Sequence, residues 1–486
     1  MPIRSQNAVT WGIAAASLAG LALRLFILPH RELTFDEAAT AYFANLAWAD
    51  LWGSAARLET NPPLFYALAG LGARLGLWPE ALRLISILPD AASVVVAGML
   101  ARRLAGGPAG LAAAWLVAGS ATLIELSLEA RAYSLLGFLG LLAVLLAMNA
   151  LRDGRWRWFA ALGVVEVLAL YTHNIAAIMV GALNGIALVC LLARQLAPGI
   201  AGRWLAMQAV VLLAWGYWLP TVLNQLTDNL GRFWLRIPTL LELRYAVQKV
   251  VGLPWIASPQ PWADGLFIGL GAMGLTLLVR RRGFDRWFAL GLAVAVLAAV
   301  PVVTWTISQW RPLMNGRVLL WLVPVHIVLV AVALGRLRWV GMAVAAVVIG
   351  AQLAAVPFWR PVGSAERWPT VAALLQERMQ PGDAVFVQPM EAALMLMHHG
   401  WDAARHELHG TKEWDWYRSF PGRVVTPAEG VPTLAPDRTL WIVTRRSTPL
   451  HEAAVARLSA THGELRLMRG GARADSGVDV SVMVPR

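Results

Sequence analysis

The chain has 486 residues, of which 58% are hydrophobic and only 14% charged. A soluble globular protein carries about 25% charged residues, so this chain lacks the charge to cover a water-exposed surface. That excludes an ordinary soluble enzyme and a disordered chain, and it leaves a polytopic membrane protein. The net charge is +12, from 41 basic and 29 acidic residues, an excess that suits nucleic acid, a membrane surface or phosphate chemistry. The single cysteine, Cys190, lies in an apolar run, which rules out an intrachain disulfide and a thiolate metal site.

A membrane-spanning helix needs about 20 mostly apolar residues. Eleven segments qualify: 8–29, 81–101, 108–126, 133–151, 157–174, 175–193, 204–223, 263–280, 287–308, 318–335 and 339–357. The first has no small-residue cleavage site and reads as a retained signal anchor. With Arg4 inside, the short inner loops hold Arg102 and Arg103, then Arg152, Arg155 and Arg157, then Arg194 and Arg203. Further on they hold Arg280, Arg281, Arg282 and Arg286, then Arg336 and Arg338, opposed only by Asp153 and Asp285. This is the positive-inside pattern, and it accounts for most of the net charge without nucleic acid. It predicts an odd number of spans, a cytoplasmic N-terminus and a C-terminal domain outside.

The outer segments have other compositions. Residues 30–80 contain Asp36, Glu37 and Glu59, and the pieces 36–52 and 62–77 read as helices lying along the interface. A short turn holds Glu129, Arg131 and Tyr133, a loop spans 224–262, and another holds Gln309, Arg311, Asn315 and Arg317. From about 358 charges, prolines and histidines appear. Helical patterns at 365–380, 390–400 and 449–461 alternate with strands at Asp383–Val387 and Leu440–Thr444, which predicts a small α/β domain over 358–486. The expected architecture is therefore an α-helical polytopic membrane domain over 1–357 plus this extracytoplasmic domain.

Polar groups collect at the outer ends of the spans. An ion pathway needs them near the midplane, where Arg24, Asp90, Glu125 and Glu166 are the only candidates. Asp36-Glu37 offers a base, a metal ligand pair or the acidic first turn of a helix capped from Thr34. Glu59-Thr60-Asn61-Pro62-Pro63 reads equally as a capped helix start. Glu129-Ala130-Arg131-Ala132-Tyr133 serves as an interfacial anchor or as an anion site. His173 closes the fifth span, and Arg311 and Arg317 suit lipid headgroups as well as a substrate.

In order and sidedness these segments resemble one family. "FDEAATAYFA", "ETNPPLFYAL", "EALRLISILPD", "LEARAYSLLGFL", "LYTHNIAAIMV" and "RPLMNGRVLLWLVPVHIVLVAVAL" look like the GT-C superfamily of membrane glycosyltransferases. The similar branch is the family 39-like bacterial one, related to protein O-mannosyltransferases and the aminoarabinose transferase. The tail around "VAALLQERMQPGDAVFVQP" resembles the family's extracytoplasmic domain. Two positions depart from the family: Asn61 stands where His or Lys is common, and Val318 follows Arg317 where Tyr is common.

The resemblance implies a hexosyl or pentosyl transferase in the cytoplasmic membrane. Its donor would be a polyprenyl-phosphate sugar and its acceptor a lipid, glycan or protein hydroxyl, with membrane lipids around it. It implies Asp36 as base; Arg131, Arg317, His173 and Tyr133 on the donor phosphate; and Glu37, Glu59, Asn61, Glu129 and Arg83 positioning sugar or acceptor, with Glu129 orienting Arg131. A monophosphate donor requires no metal, although Asp36 and Glu37 offer a divalent-cation site. The sugar and the acceptor stay open. The alternatives are a transporter or lipid flippase, which predicts a midplane polar site, and a non-enzymatic envelope assembly protein working through its C-terminal domain.

Overall fold

The computed structural model describes residues 3–30, 33–53, 61–75, 80–228, 236–252, 261–355, 367–389, 392–410, 423–425, 434–445, 449–468 and 477–486. The chain divides into two compact units, Met1–Pro29 with Trp48–Arg360, and His30–Ala47 with Pro361–Arg486. The division departs from the expected 1–357 domain in one respect. Residues 30–47, with Asp36 and Glu37, cluster with the C-terminal unit.

The helices in chain order begin with α1 (Ile3–Ile27), α2 (Phe35–Ala44, in the second unit), α3 (Trp48–Trp52) and α4 (Leu64–Arg74). Next come α5 (Leu84–Ala105), α6 (Gly107–Ala118), α7 (Ala121–Ser127), α8 (Tyr133–Asp153), α9 (Trp156–Leu170) and α10 (Ala176–Leu192). These are followed by α11 (Ile200–Gly216), α12 (Leu219–Asp228), α13 (Leu240–Val251), α14 (Pro261–Val279) and α15 (Phe284–Gly291). A π-helical stretch, Leu292–Ala298, joins α15 to α16 (Ala299–Ser308), and α17 (Val323–Arg336) and α18 (Trp339–Ala355) complete the unit.

Each of the eleven expected apolar segments is mostly helical over its described residues. Among the described residues five helices are long and apolar enough to cross a membrane, or seven if each of two bent pairs is one span. The pairs are α6 with α7, bent by 52°, and α11 with α12, bent by 63°. Shorter apolar helices cover Ala176–Leu192, Leu320–Arg336 and Trp339–Ala354. The near-continuous apolar run from Tyr171 to Val189 is divided by a turn, because α9 ends at Leu170 and α10 starts at Ala176.

Helix α17 is buried on every side from Val323 to Leu334, as expected of a helix that is apolar all round. It packs against α14, α6 and α5. Gly271 and Gly274 on α14 permit the close approach, since a Cβ at Gly274 would overlap the Leu329 carbonyl. Small residues at a helix interface let membrane helices touch backbone to backbone.

Backbone groups freed by a bend inside the membrane need protein partners. At the α6–α7 bend, Arg24 Nη1 donates to Ala118 O at 3.0 Å and to Gly20 O at 2.9 Å. Ala121 N donates to Gln352 Oε1 at 2.8 Å. Arg24, fully buried, also pairs with Asp90 of α5. Glu166 accepts from Gln208 Nε2 at 3.0 Å. These deep polar groups therefore bond to protein and hold the helices in register.

The second unit contains α2, α19 (Trp368–Arg378), α20 (Ala392–His398) and α21 (Pro449–Leu458). Its sheet comprises β1 (Ala384–Gln388), β2 (Glu407–His409), β3 (Arg423–Val425), β4 (Leu440–Arg445), β5 (His462–Met468) and β6 (Val478–Pro485). The strand order is β3-β2-β1-β4-β6-β5. The first four strands are parallel, while β6 runs antiparallel to β4 and β5 antiparallel to β6. Phe386, Ile442, Leu458 and Met483 lie in its core. The expected interfacial helix over 36–52 is two helices, α2 and α3. Helix α2 packs on α20, and the Arg445 guanidinium lies 4.4 Å from the Phe35 ring centroid.

Candidate active site

Three turns converge at one end of the first unit. The first, between α7 and α8, carries Glu129, Arg131 and Tyr133. Arg131 N donates to Glu129 O at 2.8 Å, and Ser86 Oγ of α5 donates to Arg131 O at 3.1 Å. The backbone on both sides of the Arg131 side chain is thereby held.

The second turn, Tyr171–Ile175, is anchored from several directions. Tyr171 Oη donates to Ala214 O of α11 at 2.9 Å, and Thr172 Oγ1 donates to Leu168 O at 2.7 Å. Leu64 N donates to Tyr171 O at 3.0 Å. The double proline thus starts α4 against the His173 turn, with Pro63 at the N-cap and no side-chain cap hydrogen bond. The Tyr133 and His173 rings sit 5.7 Å apart and 40° inclined.

The third segment precedes α17. Asn315 Oδ1 accepts from Arg317 N at 2.8 Å and Val318 N at 3.1 Å, a side-chain turn that sets the Arg317 backbone. Trp321 then packs against Gly140 of α8, where a Cβ would lie 2.9 Å from the indole. Arg317 Nη1 reaches Glu129 Oε2 at 2.9 Å. The carboxylate expected to orient Arg131 thus forms an ion pair with Arg317.

His173 is held in one tautomer. Ile175 N donates to His173 Nδ1 at 3.2 Å, so Nδ1 is the acceptor and Nε2 carries the proton. Burial, with the positive charge of Arg131 second, pushes its pKa down to about 4. At neutral pH it is an uncharged donor through Nε2. The positive charge of this cluster therefore comes from Arg131 and Arg317.

The other candidates sit as follows. Arg83 is buried at the end of the turn Glu80–Arg83 that leads into α5. Asn61 is partly exposed, just before the buried Pro62 and Pro63. Glu59 lies outside the described residues. Asp36 and Glu37 belong to the second unit, in the first turn of α2. Glu37 is fully buried and its Oε2 accepts from Thr34 N at 2.8 Å, half of a capping box. Asp36 is partly exposed, so the adjacent carboxylates have different settings. Among the described residues no group of three or more His, Cys, Asp or Glu could hold a metal ion.

One buried polar network lies outside the predicted set. In the second unit His451 Nδ1 and Thr444 Oγ1 are 2.8 Å apart, and His451 Nε2 and Ser481 Oγ 3.1 Å. Ser481 Oγ donates to Glu464 Oε1 at 2.8 Å. Thr444, His451 and Ser481 are all buried, so the network fastens α21 to the sheet.

No protein-family model matches the sequence, and no curated protein matches it. Solved structures do. ArnT from Cupriavidus metallidurans in the apo state is similar over 99% of this chain and 98% of its own, with TM-score 0.65 and 16% identity. The same protein bound to undecaprenyl phosphate is similar over 98% of each chain, again with TM-score 0.65 and 16% identity. The Archaeoglobus fulgidus oligosaccharyltransferase, in complex with zinc and sulfate, is similar over 96% of this chain and 73% of its own, with TM-score 0.51 and 13% identity. The chain has the GT-C fold. At these identities the likeness concerns the fold. Within this GT-C chain the residues of the resemblance fall into two groups, the turn cluster of the first unit and the α2 acids of the second.

Proposed function

We propose that the protein is an inverting glycosyltransferase of the cytoplasmic membrane. It moves a sugar from a polyprenyl-phosphate donor to an acceptor hydroxyl at the outer face. The observation that carries this reading is the convergence of Arg131, Arg317 and the neutral donor His173 at the ends of apolar helices. Two guanidiniums and an N–H are what a departing phosphate at a membrane surface requires, because its negative charge grows as the glycosidic bond breaks. The GT-C fold supports the reading, and one structure with this fold holds undecaprenyl phosphate.

In this mechanism the acceptor oxygen attacks the anomeric carbon from the face opposite the phosphate. The acceptor proton passes to the Asp36 carboxylate, the new carbon–oxygen bond forms as the old one breaks, and polyprenyl phosphate leaves. Arg131 and Arg317 take up its charge, His173 Nε2 and Tyr133 add neutral hydrogen bonds, and Glu129 holds Arg317. Arg83, Asn61 and Glu59 remain positioning residues for sugar or acceptor. No metal is assigned: a monophosphate leaving group does not require one, and the Glu37 oxygen at Thr34 N is committed to a helix cap. The arginine-rich short loops support a cytoplasmic N-terminus and an outer C-terminal unit.

The flippase alternative needs ionisable groups free along a midplane path, whereas Arg24 pairs with Asp90 and Glu166 with Gln208. The test is transfer by the purified chain in liposomes containing polyprenyl-phosphate sugars. Product that appears with the wild type and disappears with Asp36→Asn supports the reading. Undiminished transfer by Asp36→Asn overturns the assigned base, and lipid translocation without transfer supports the flippase.

A further inference from the structure

Within the second unit α2 meets two segments that leave the sheet. It packs on α20, the helix that follows β1. Its first residue, Phe35, lies against Arg445, the last residue of β4, with the guanidinium 4.4 Å from the ring centroid. Strands β1, β2 and β3 succeed one another towards one edge, and β4 returns to the other side of β1. The carboxyl ends of strands at such a reversal are where open α/β sheets hold their ligands. Here the chain at the end of β4 holds the start of a helix, and the residue after Phe35 is Asp36.

Arg445 is firmly mounted. Its backbone pairs with Val478 of β6, and the preceding Thr444 pairs with Gln388 of β1. Successive side chains of a strand point to opposite faces. Thr444 Oγ1 therefore meets His451 of α21 at 2.8 Å on one face, while Arg445 reaches Phe35 of α2 on the other. The buried His451 network thus fixes the strand end from which the guanidinium extends. Helix stability does not account for the contact, because a cation beside a helix N-terminus opposes the helix dipole. What the cation gains is the face of an aromatic ring, one residue from the Asp36 carboxylate. Thr40 Oγ1 donates to Asp36 O at 3.3 Å and Glu37 accepts from Thr34 N, so the backbone at Asp36 is set within α2. Arg445 ties that turn to the sheet.

We propose that Arg445 is a positioning residue of the transfer reaction: through the Phe35 ring it fixes the first turn of α2 and so aims the Asp36 carboxylate. This rests on the proposed reading of Asp36 as the base. The sheet unit then carries the base, and the end of β4 sets where that base stands.

The experiment pairs steady-state transfer in liposomes containing polyprenyl-phosphate sugars with hydrogen–deuterium exchange of the full chain. Arg445→Gln is expected to lower kcat about tenfold and to keep the KM of donor and acceptor within about twofold, because a misplaced base slows the chemistry without loosening the substrates. Arg445→Lys keeps a cation over the ring and Phe35→Trp keeps a ring under the cation, so each retains at least about half of the wild-type kcat. Phe35→Leu matches Arg445→Gln, and the two together are no worse than either alone. In both single variants the α2 amides exchange about tenfold faster, whereas those of β4 and β6 keep their protection and show the sheet intact. Phe35→Leu leaves the strand untouched, so it carries the test if Arg445→Gln loosens β4. An unchanged kcat overturns the proposal. So does a raised acceptor KM at unchanged kcat, which would put Arg445 on the acceptor, and so do single effects that multiply in full. A wild type that transfers no sugar counts against the transferase reading, and the exchange measurement then decides separately whether Arg445 holds α2. Unchanged α2 exchange in both variants overturns the proposal with or without transfer.

Discussion

Arg317 Nη1 and Glu129 Oε2 lie 2.9 Å apart, joining the turn before α8 to the loop before α17. The side chains are 41% and 23% exposed, so the pair adds little to stability. Its effect is positional. Glu129 holds the guanidinium in one place, and Asn315 holds the backbone from which it extends.

Arg317→Gln is expected to lower kcat/KM about 100-fold, the scale for losing a charged donor to a leaving group. Glu129→Gln lowers it about tenfold, because the guanidinium remains but is less well held. The double variant should resemble Arg317→Gln alone, since Glu129 acts through Arg317. Single effects that multiply in full would show that the two residues act independently.

Asp36 and Glu37 are neighbours with separable roles. Asp36→Asn is expected to reduce transfer at least 100-fold while leaving the unfolding midpoint nearly unchanged. Glu37→Ala removes a buried cap and costs about 1 kcal/mol of stability, yet keeps transfer within a few-fold. Calorimetry beside a transfer assay separates them. The reverse pattern would move the base to Glu37.

His173 should stay neutral through the physiological range. Its folded pKa of about 4 lies below the ordinary 6.5, so the unfolded chain binds more protons between those values. The stabilising contribution is complete above pH 6.5 and is lost as pH falls from there towards 4. Nitrogen NMR of labelled imidazole should report the Nε2–H form at pH 6. A titration near 6.5 would contradict the assignment. His173→Gln, which retains one N–H donor, should preserve more transfer than His173→Phe.

Arg24→Met leaves Asp90 buried without its cation and is expected to cost about 3–5 kcal/mol. Replacing Asp90 by Leu as well should restore most of this. Restoration stays incomplete, because the Ala118 carbonyl at the α6–α7 bend still lacks its donor. Thermal unfolding in detergent compares the three, and a double variant less stable than Arg24→Met would contradict the pairing.

Much of the second unit was hard to read from its residues. Strands β2 and β3 have three residues each and exist because they pair in parallel beside β1. Strand β5 is an edge strand whose middle, Glu464 to Arg466, is exposed throughout, so it lacks the alternation of a half-buried strand. Strand β6 is buried over Val478–Met483, a continuous pattern that suits a covered strand. Its neighbours on both sides had to be known before it could be placed.

The sequence by itself determined where the apolar helices lie, because a backbone in lipid must satisfy its polar groups within each segment. It also determined which short loops are basic and which few charges lie at the ends of the other segments. Only the tertiary structure decided which of those charges meet. Glu129 pairs with Arg317, His173 is held neutral by Ile175 N and by burial, and α2 packs on α20. Segment composition follows from local physics, whereas a charge acquires a partner and a protonation state only from what folding brings beside it.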